Sequence, residues 1–270
     1  MSHQARVLRR IARLLVGFTT AIAACGSASA QKDPIRVAVA ADLKFAMEEL
    51  ERKFEAQSGT RVETTYGSSG NFYSQMANGA PFDVFFSADV EYPRQLAASG
   101  IADPDTLHEY AVGRIVIWTP ADSKVNVARE GWQVLLDERV QKVAIANPEH
   151  APYGRAAIAA MKKAGVYEQV KAKLVYGENI SQAAQFVQSG SAQAGIVALS
   201  LASSPAMKDG KSWVIPSEMH PAIEQAAIVL RAGRNESGGV AFLEFVKSAA
   251  GRQILERFGF YAPDGGTGPR

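Results

Sequence analysis

Cysteine is almost missing from this chain: 270 residues hold one, Cys25. No intrachain disulfide can form, so stability has to come from core burial. Histidine is nearly as scarce, and His108, His150 and His220 lie far apart without metal-ligand spacing, which places them at the surface or in loops rather than around a cation. There is no phosphate-binding glycine loop, no Ser-His-Asp order and no zinc signature, so no catalytic set and no cofactor site is expected. Neither sign of charge dominates. A net charge of +2 lacks the basic footprint of a nucleic-acid binder. Long apolar runs are missing too: Leu14 to Ala24 is too short to span a bilayer as a helix.

That short run belongs to an export signal. Arg6, Arg9, Arg10 and Arg13 precede it, and Ala28-Ser29-Ala30 supplies small residues for cleavage before Gln31. Residues 1–30 read as a signal peptide. Removing them also removes four arginines and leaves a near-neutral or slightly acidic exported protein. Cys25 reads either as a small apolar residue of the signal or as the lipidated first residue of a lipoprotein, with simple cleavage favoured.

What remains alternates strands and helices. Ile35 to Ala40 is an apolar strand suited to burial on both faces, and Phe45, Met47, Leu50 and Phe54 mark the helix that follows. Arg61–Tyr66 is a β-branched strand, and Phe72 and Met76 open another helical pattern. Between them lies Gly67-Ser68-Ser69-Gly70-Asn71, where two hydroxyls and free N–H groups stand at a positive helix end, the outline of an anion site. Asp83–Phe86 is a third strand, and Asp83 and Asp89 at its ends read as local caps or pairs. After a longer strand at Tyr110–Trp118 the rhythm restarts with Val143–Ala146, Lys173–Tyr176 and Ala194–Ala198 and their helices. Glu224–Arg231 is a further strand, and Val240–Phe258 gives one or two helices. Trp118, Trp132 and Trp213 read as core or hinge packing, and the glycine-rich tail from Asp264 as disordered.

Two α/β lobes follow, each with a mostly parallel sheet flanked by helices. Tyr110–Trp118 and Glu224–Arg231 are the natural crossings. The first lobe is then discontinuous, 31–114 and 226–270, the second is 115–225, and the two crossover strands form a hinge beside a cleft. Ligands in such sheets bind beyond the carboxyl ends of strands, where helices begin. Four transitions qualify, at Ala41-Asp42, Ser68-Ser69, Tyr153-Gly154 and Asn179-Ile180-Ser181. Converging on one cleft, they would offer neutral donors to a compact oxyanion.

These stretches are where the chain resembles the periplasmic molybdate-binding proteins of ABC transporters. The resemblance is carried by Val39-Ala40-Ala41-Asp42-Leu43, Gly67–Asn71, Gly79–Asp89, Asn147–Gly154 and Arg257-Phe258-Gly259-Phe260, in order along the chain. It implies a two-lobed periplasmic binding fold, not an enzyme, that closes as a monomer on molybdate or tungstate and hands it to an inner-membrane permease with its ATPase. Molybdenum or tungsten would enter as the oxyanion, with no residue ligating a metal cation. Carried over residue by residue, the anion contacts are Ala41, Asp42, Ser68, Ser69, Tyr153 and Ile180, supported by Asn71, Glu178 and Asn179. Tyr153 and Ile180 would act mainly through backbone N–H groups. A tyrosine hydroxyl used by many members is missing, with Ala198 in its place, and the Tyr153 hydroxyl is the substitute at hand.

Asp42 departs from the family, which usually has Ser, Thr or Asn there. A carboxylate ~4 Å from a dianion costs about 4 kcal/mol per charge pair at an effective dielectric near 20. Protonating a carboxyl of ordinary pKa at pH 7 costs about 4 kcal/mol instead. Two readings follow. Asp42 either caps its own helix and leaves a backbone N–H for the ligand, or it accepts a proton from a different, protonated oxyanion of phosphate or phosphonate type. An enzyme on the same scaffold is the remoter alternative.

Overall fold

The computed structural model describes residues 33–263; the expected signal peptide, Cys25 and the tail from Asp264 lie outside the described residues. Two five-stranded sheets form the frame, in strand orders β2-β1-β3-β10-β4 and β7-β6-β8-β5-β9. The first contains β1 (Ile35–Ala40), β2 (Val62–Gly67), β3 (Val84–Ser87), β4 (His108–Gly113) and β10 (Ile223–Val229). The second contains β5 (Ile115–Thr119), β6 (Val143–Ala146), β7 (Leu174–Gly177), β8 (Ala194–Ala198) and β9 (Lys211–Val214). Helices of eight or more residues are α1 (Lys44–Ser58), α2 (Ser69–Ala77), α3 (Glu91–Ala98), α4 (Pro152–Lys163), α5 (Ile180–Gln188), α6 (Glu236–Lys247) and α7 (Ala249–Arg257).

The two lobes repeat one plan. β1 pairs parallel with β2 and β3, and β6 pairs parallel with β7 and β8. The antiparallel members are the crossing strands and their neighbours: β10 against β3 and β4, β5 against β8 and β9. The sheets are therefore mixed, because a strand arriving from the other lobe runs against the βαβ units already there.

The expected long strand at Tyr110–Trp118 is two strands. β4 ends at Gly113 and β5 starts at Ile115, so Arg114 alone links one sheet to the other. Its guanidinium lies 4.7 Å from the Tyr261 ring centre. The return is complete by Ile223, which already pairs with Gly113 in the first sheet, three residues before the expected boundary at 226. The strand β9 carried no recognisable pattern in the sequence, since it alternates half-buried and exposed residues at a sheet edge.

Burial explains the elements. β1, β3, β5, β6 and β8 are buried along all or nearly all of their length, as strands covered on both faces must be. α1 turns Ala46, Met47, Leu50 and Phe54 to the first sheet and stops at Gly59, whose φ of 66° is the left-handed turn that ends a helix. Phe54, Phe86 and Phe242 pack edge to face behind that sheet. The apolar cluster around the second sheet also takes in Ala40, Ala41 and Ala88 of the first, so the lobes touch at the carboxyl ends of β1 and β3. Trp118 lies in that cluster with its indole N–H on the Met207 carbonyl, and Trp132 and Trp213 stack edge to face beside it.

Candidate functional site: an inter-lobe anion cleft

The strand-to-helix transitions singled out in the sequence meet where the lobes touch. Ala41 and Asp42 form a short 3-10 turn between β1 and α1. Ser69 is the first residue of α2, Tyr153 the second of α4 and Ile180 the first of α5. N–H groups at these positions have no partner within their own helix, and the helix dipole makes them attractive to an anion. Ala41, Asp42, Ser68, Ser69, Tyr153 and Ile180 are all buried.

Contacts between the lobes run through these residues. The Gly70 N–H donates to the His150 carbonyl at 3.0 Å. The Ser181 hydroxyl donates to the Ala41 carbonyl at 2.9 Å, and Ser200 to the Asp42 carbonyl at 2.8 Å. At the rim Asn71 donates to Glu178, whose carbonyl lies 3.0 Å from His150 Nε2. Asn179 caps α5 by accepting from the Gln182 N–H. Arg155 of α4 pairs with Asp89 of the other lobe, so Asp89 bridges the lobes as well as making the local cap expected of it. Asp83 is fully buried and accepts from the Arg36 and Asn235 N–H groups.

Two hydroxyls are free to serve a ligand. Ser69 Oγ accepts from the Ala88 N–H at 2.9 Å and keeps its own proton to donate. Ser68 Oγ is buried with no hydrogen-bond partner, a costly state for a hydroxyl unless something completes it.

Asp42 does not make the helix cap that is one of the two readings offered for it: it caps neither the 3-10 turn nor α1. Its Oδ2 faces the second lobe and accepts from the Tyr153 hydroxyl at 2.9 Å and from Gln225 Nε2 at 2.7 Å. Gln225 Nε2 also lies 2.9 Å from the Tyr153 oxygen, and its Oε1 accepts from the Tyr110 hydroxyl at 2.7 Å. That bond to Tyr110 fixes the amide orientation, because the NH2 end must face the carboxylate. The Tyr153 hydroxyl is therefore engaged by Asp42 here, rather than left open as the substitute expected of it. Asp42 Oδ1 is buried with no hydrogen-bond partner. Burial pushes the Asp42 carboxyl up to about 6, against the pull of Gln225, Tyr153 and the nearby N–H groups of Asp42 and Leu43. Burial next to that carboxylate drives the Tyr153 and Tyr110 phenols well above their usual range, so both stay protonated.

Gln225 and Tyr110 escaped the sequence reading. Their one signal is a polar side chain at an inward position of an otherwise apolar strand, since β10 is buried at every residue except Glu224. Gly113 makes room for Tyr153 and Gln225: a Cβ there would collide with Tyr153 Oη and stand 2.8 Å from Gln225 Nε2. Among the histidines, His108 is half-buried in β4, His150 lies in the loop before α4 and His220 is buried at the return crossing. Among the described residues no group of three or more His, Cys, Asp or Glu is placed to hold a metal ion.

Two lobes joined by two crossings, with helix ends converging between them, define a binding protein of the periplasmic two-lobed class. The chain belongs to the bacterial extracellular solute-binding proteins, whose family model matches residues 35–261. It is 35% identical over 255 residues to the molybdate-binding protein ModA of Azotobacter vinelandii, covering 93% of this chain and 97% of that one. It is 38% identical to ModA of Rhodobacter capsulatus, over 83% of this chain and 86% of that one. The solved A. vinelandii periplasmic molybdate-binding protein superposes with a TM-score of 0.79 at 31% identity, covering 85% of this chain and 99% of that chain.

Proposed function

We propose that this chain is the substrate-binding component of an ABC importer that captures molybdate between its lobes in the periplasm and delivers it to an inner-membrane permease. The observation that carries this reading is the convergence of buried helix N-termini and two serine hydroxyls, one of them lacking any partner, on the surface where the lobes meet. Hydrogen-bond donors without a fixed cation suit a small dianion that must later be released. The relatives named molybdate-binding proteins support the choice of anion. Ala41, Asp42, Ser68, Ser69, Tyr153 and Ile180 form its walls, and Asn71, Glu178 and Asn179 tie the rim. Tungstate, of like charge and geometry, belongs to the same site. The protein acts by stoichiometric binding as a monomer, and the lobes hinge at Gly113-Arg114 and at the return before Ile223, ligand favouring the closed form.

Titration calorimetry on the chain beginning at Gln31, at pH 6.5, tests this with molybdate, tungstate, sulfate and phosphate. Tight one-to-one binding of molybdate and tungstate, with sulfate and phosphate weak, is expected. A preference for phosphate, the alternative that Asp42 raises, or no binding of molybdate, overturns the assignment.

A further inference from the structure

Resting on the molybdate reading, we infer that Asp42 enters the complex as a neutral carboxylic acid, so that each oxyanion bound takes up one proton from solvent. The geometry divides the carboxyl into two unlike oxygens. Oδ2 is saturated as an acceptor by Tyr153 and Gln225. Oδ1 is buried and bonded to nothing, and it belongs to the residue whose own turn forms one wall of the anion site. A proton can be placed on Oδ1 without disturbing either bond to Oδ2. It converts an orphan acceptor, which repels an anion, into an O–H donor available to one. The proton comes from water as the anion enters and returns to water as it leaves, with no other bond made or broken.

The surroundings favour this over a charged Asp42. The side chains that bear on it are Tyr153 from α4, Tyr110 from β4 and the uncharged Gln225 from β10, while Ser200 and Ser181 bond the carbonyls of Asp42 and Ala41. Charged residues on the same elements are engaged or turned elsewhere. Lys44 lies over the Phe45 ring, Arg155 pairs with Asp89, Glu109 with Arg94, and Glu224 is exposed. His108, on the far end of β4, is itself held toward its neutral form by burial. Among the described residues no cation offsets the carboxylate, and burial has already moved it to where about one molecule in ten is neutral at pH 7. A dianion beside Oδ1 drives the rest of the way.

The test is calorimetry of molybdate binding between pH 6 and 8.5, where molybdate is unprotonated, in two buffers of different ionisation enthalpy, for the wild type, Asp42→Asn and Asp42→Ser. In the wild type, affinity is expected to fall about tenfold per pH unit above pH 7, with uptake of close to one proton per anion. Asp42→Asn can keep the acceptor for Tyr153 and Gln225 and put an N–H in place of the O–H. It should bind at all these pH values with constant affinity and no proton uptake, and so exceed the wild type at pH 8.5 by more than tenfold. Asp42→Ser should also lose the proton uptake. Wild-type binding with constant affinity and no proton uptake would overturn the inference while leaving the molybdate reading intact. Failure of the wild type and both variants to bind molybdate at any pH would instead remove the molybdate reading, and this inference with it.

Discussion

In the role inferred for it, Asp42 is costly to the empty protein and useful to the loaded one. Protonating a carboxyl with a pKa of about 6 at pH 7 costs about 1 kcal/mol, against about 4 for an ordinary aspartate. The rest of that difference is carried by the unliganded fold as burial of a charge without a cation. Because the folded-state value lies above the unfolded one, protonation stabilises the native state. That stabilisation is complete below pH 4 and is lost as pH rises through 6. With the lobes in contact, the unliganded wild type should therefore gain up to about 3 kcal/mol relative to Asp42→Asn as pH falls from 8 to below 4, the free energy that corresponds to raising a carboxyl from its ordinary value to about 6, and less in so far as the empty lobes part and expose Asp42. Paired denaturant melts of the two proteins across this range check it; a constant gap would mean Asp42 is not held as a buried charge. Gly113→Ala probes the same network from the backbone. Its methyl must displace both Tyr153 Oη and Gln225 Nε2, costing about 1–3 kcal/mol of stability by overpacking and loss of buried bonds. Chemical denaturation at pH 7 measures that loss.

At the scale of elements, helix beginnings do the positioning. α5 starts where Asn179, in extended conformation, accepts from the Gln182 N–H and leaves the Ile180 N–H pointing out of the helix end. Asn179→Ala should lower stability by about 1 kcal/mol and weaken molybdate binding by a larger factor than the stability change alone implies, because the Ile180 turn loses its anchor. A thermal melt paired with calorimetry separates the two effects, and unchanged affinity would remove Ile180 from the site. These starts were legible in the sequence because strand, turn and helix patterns change within a few residues at Ala40–Lys44, Gly67–Asn71 and Gly177–Ser181. Their meeting in space followed from the alternating βαβ order. What stayed hidden has a common cause. Whether Tyr110–Trp118 is one strand or two depends on which sheet each half joins, and the sequence around Arg114 carries no turn residue pair to mark the break. Where a carboxylate points depends on residues 111 and 183 positions away, Tyr153 and Gln225. Local pattern marks Asp42 as a cap, but burial between the lobes decides otherwise.

For the whole molecule, the question is what the two lobes gain by meeting. Their direct links at the rim, Asn71 with Glu178 and Arg155 with Asp89, involve partly exposed side chains and are worth little each. The tighter constraint is steric. Gly70, at the start of α2, places its N–H on the His150 carbonyl, and a Cβ there would stand 2.8 Å from that oxygen and 3.0 Å from His150 Cα. Tyr92 Oη, 2.9 Å away, is the end of a side chain that can swing aside, but the His150 backbone belongs to the opposite lobe. Alanine at 70 is thus compatible with lobes held apart and incompatible with lobes in contact. It also favours the helix that begins there. Gly70→Ala should leave the unliganded melting temperature nearly unchanged while weakening molybdate binding about 5- to 150-fold, the equivalent of a 1–3 kcal/mol penalty on the closed form alone. Small-angle scattering should show the ligand-induced contraction of the wild type shifted to correspondingly higher molybdate concentrations in the variant. Equal losses of stability and affinity would instead mean that the Gly70–His150 contact holds the fold together in every state, and that closure is not what molybdate selects.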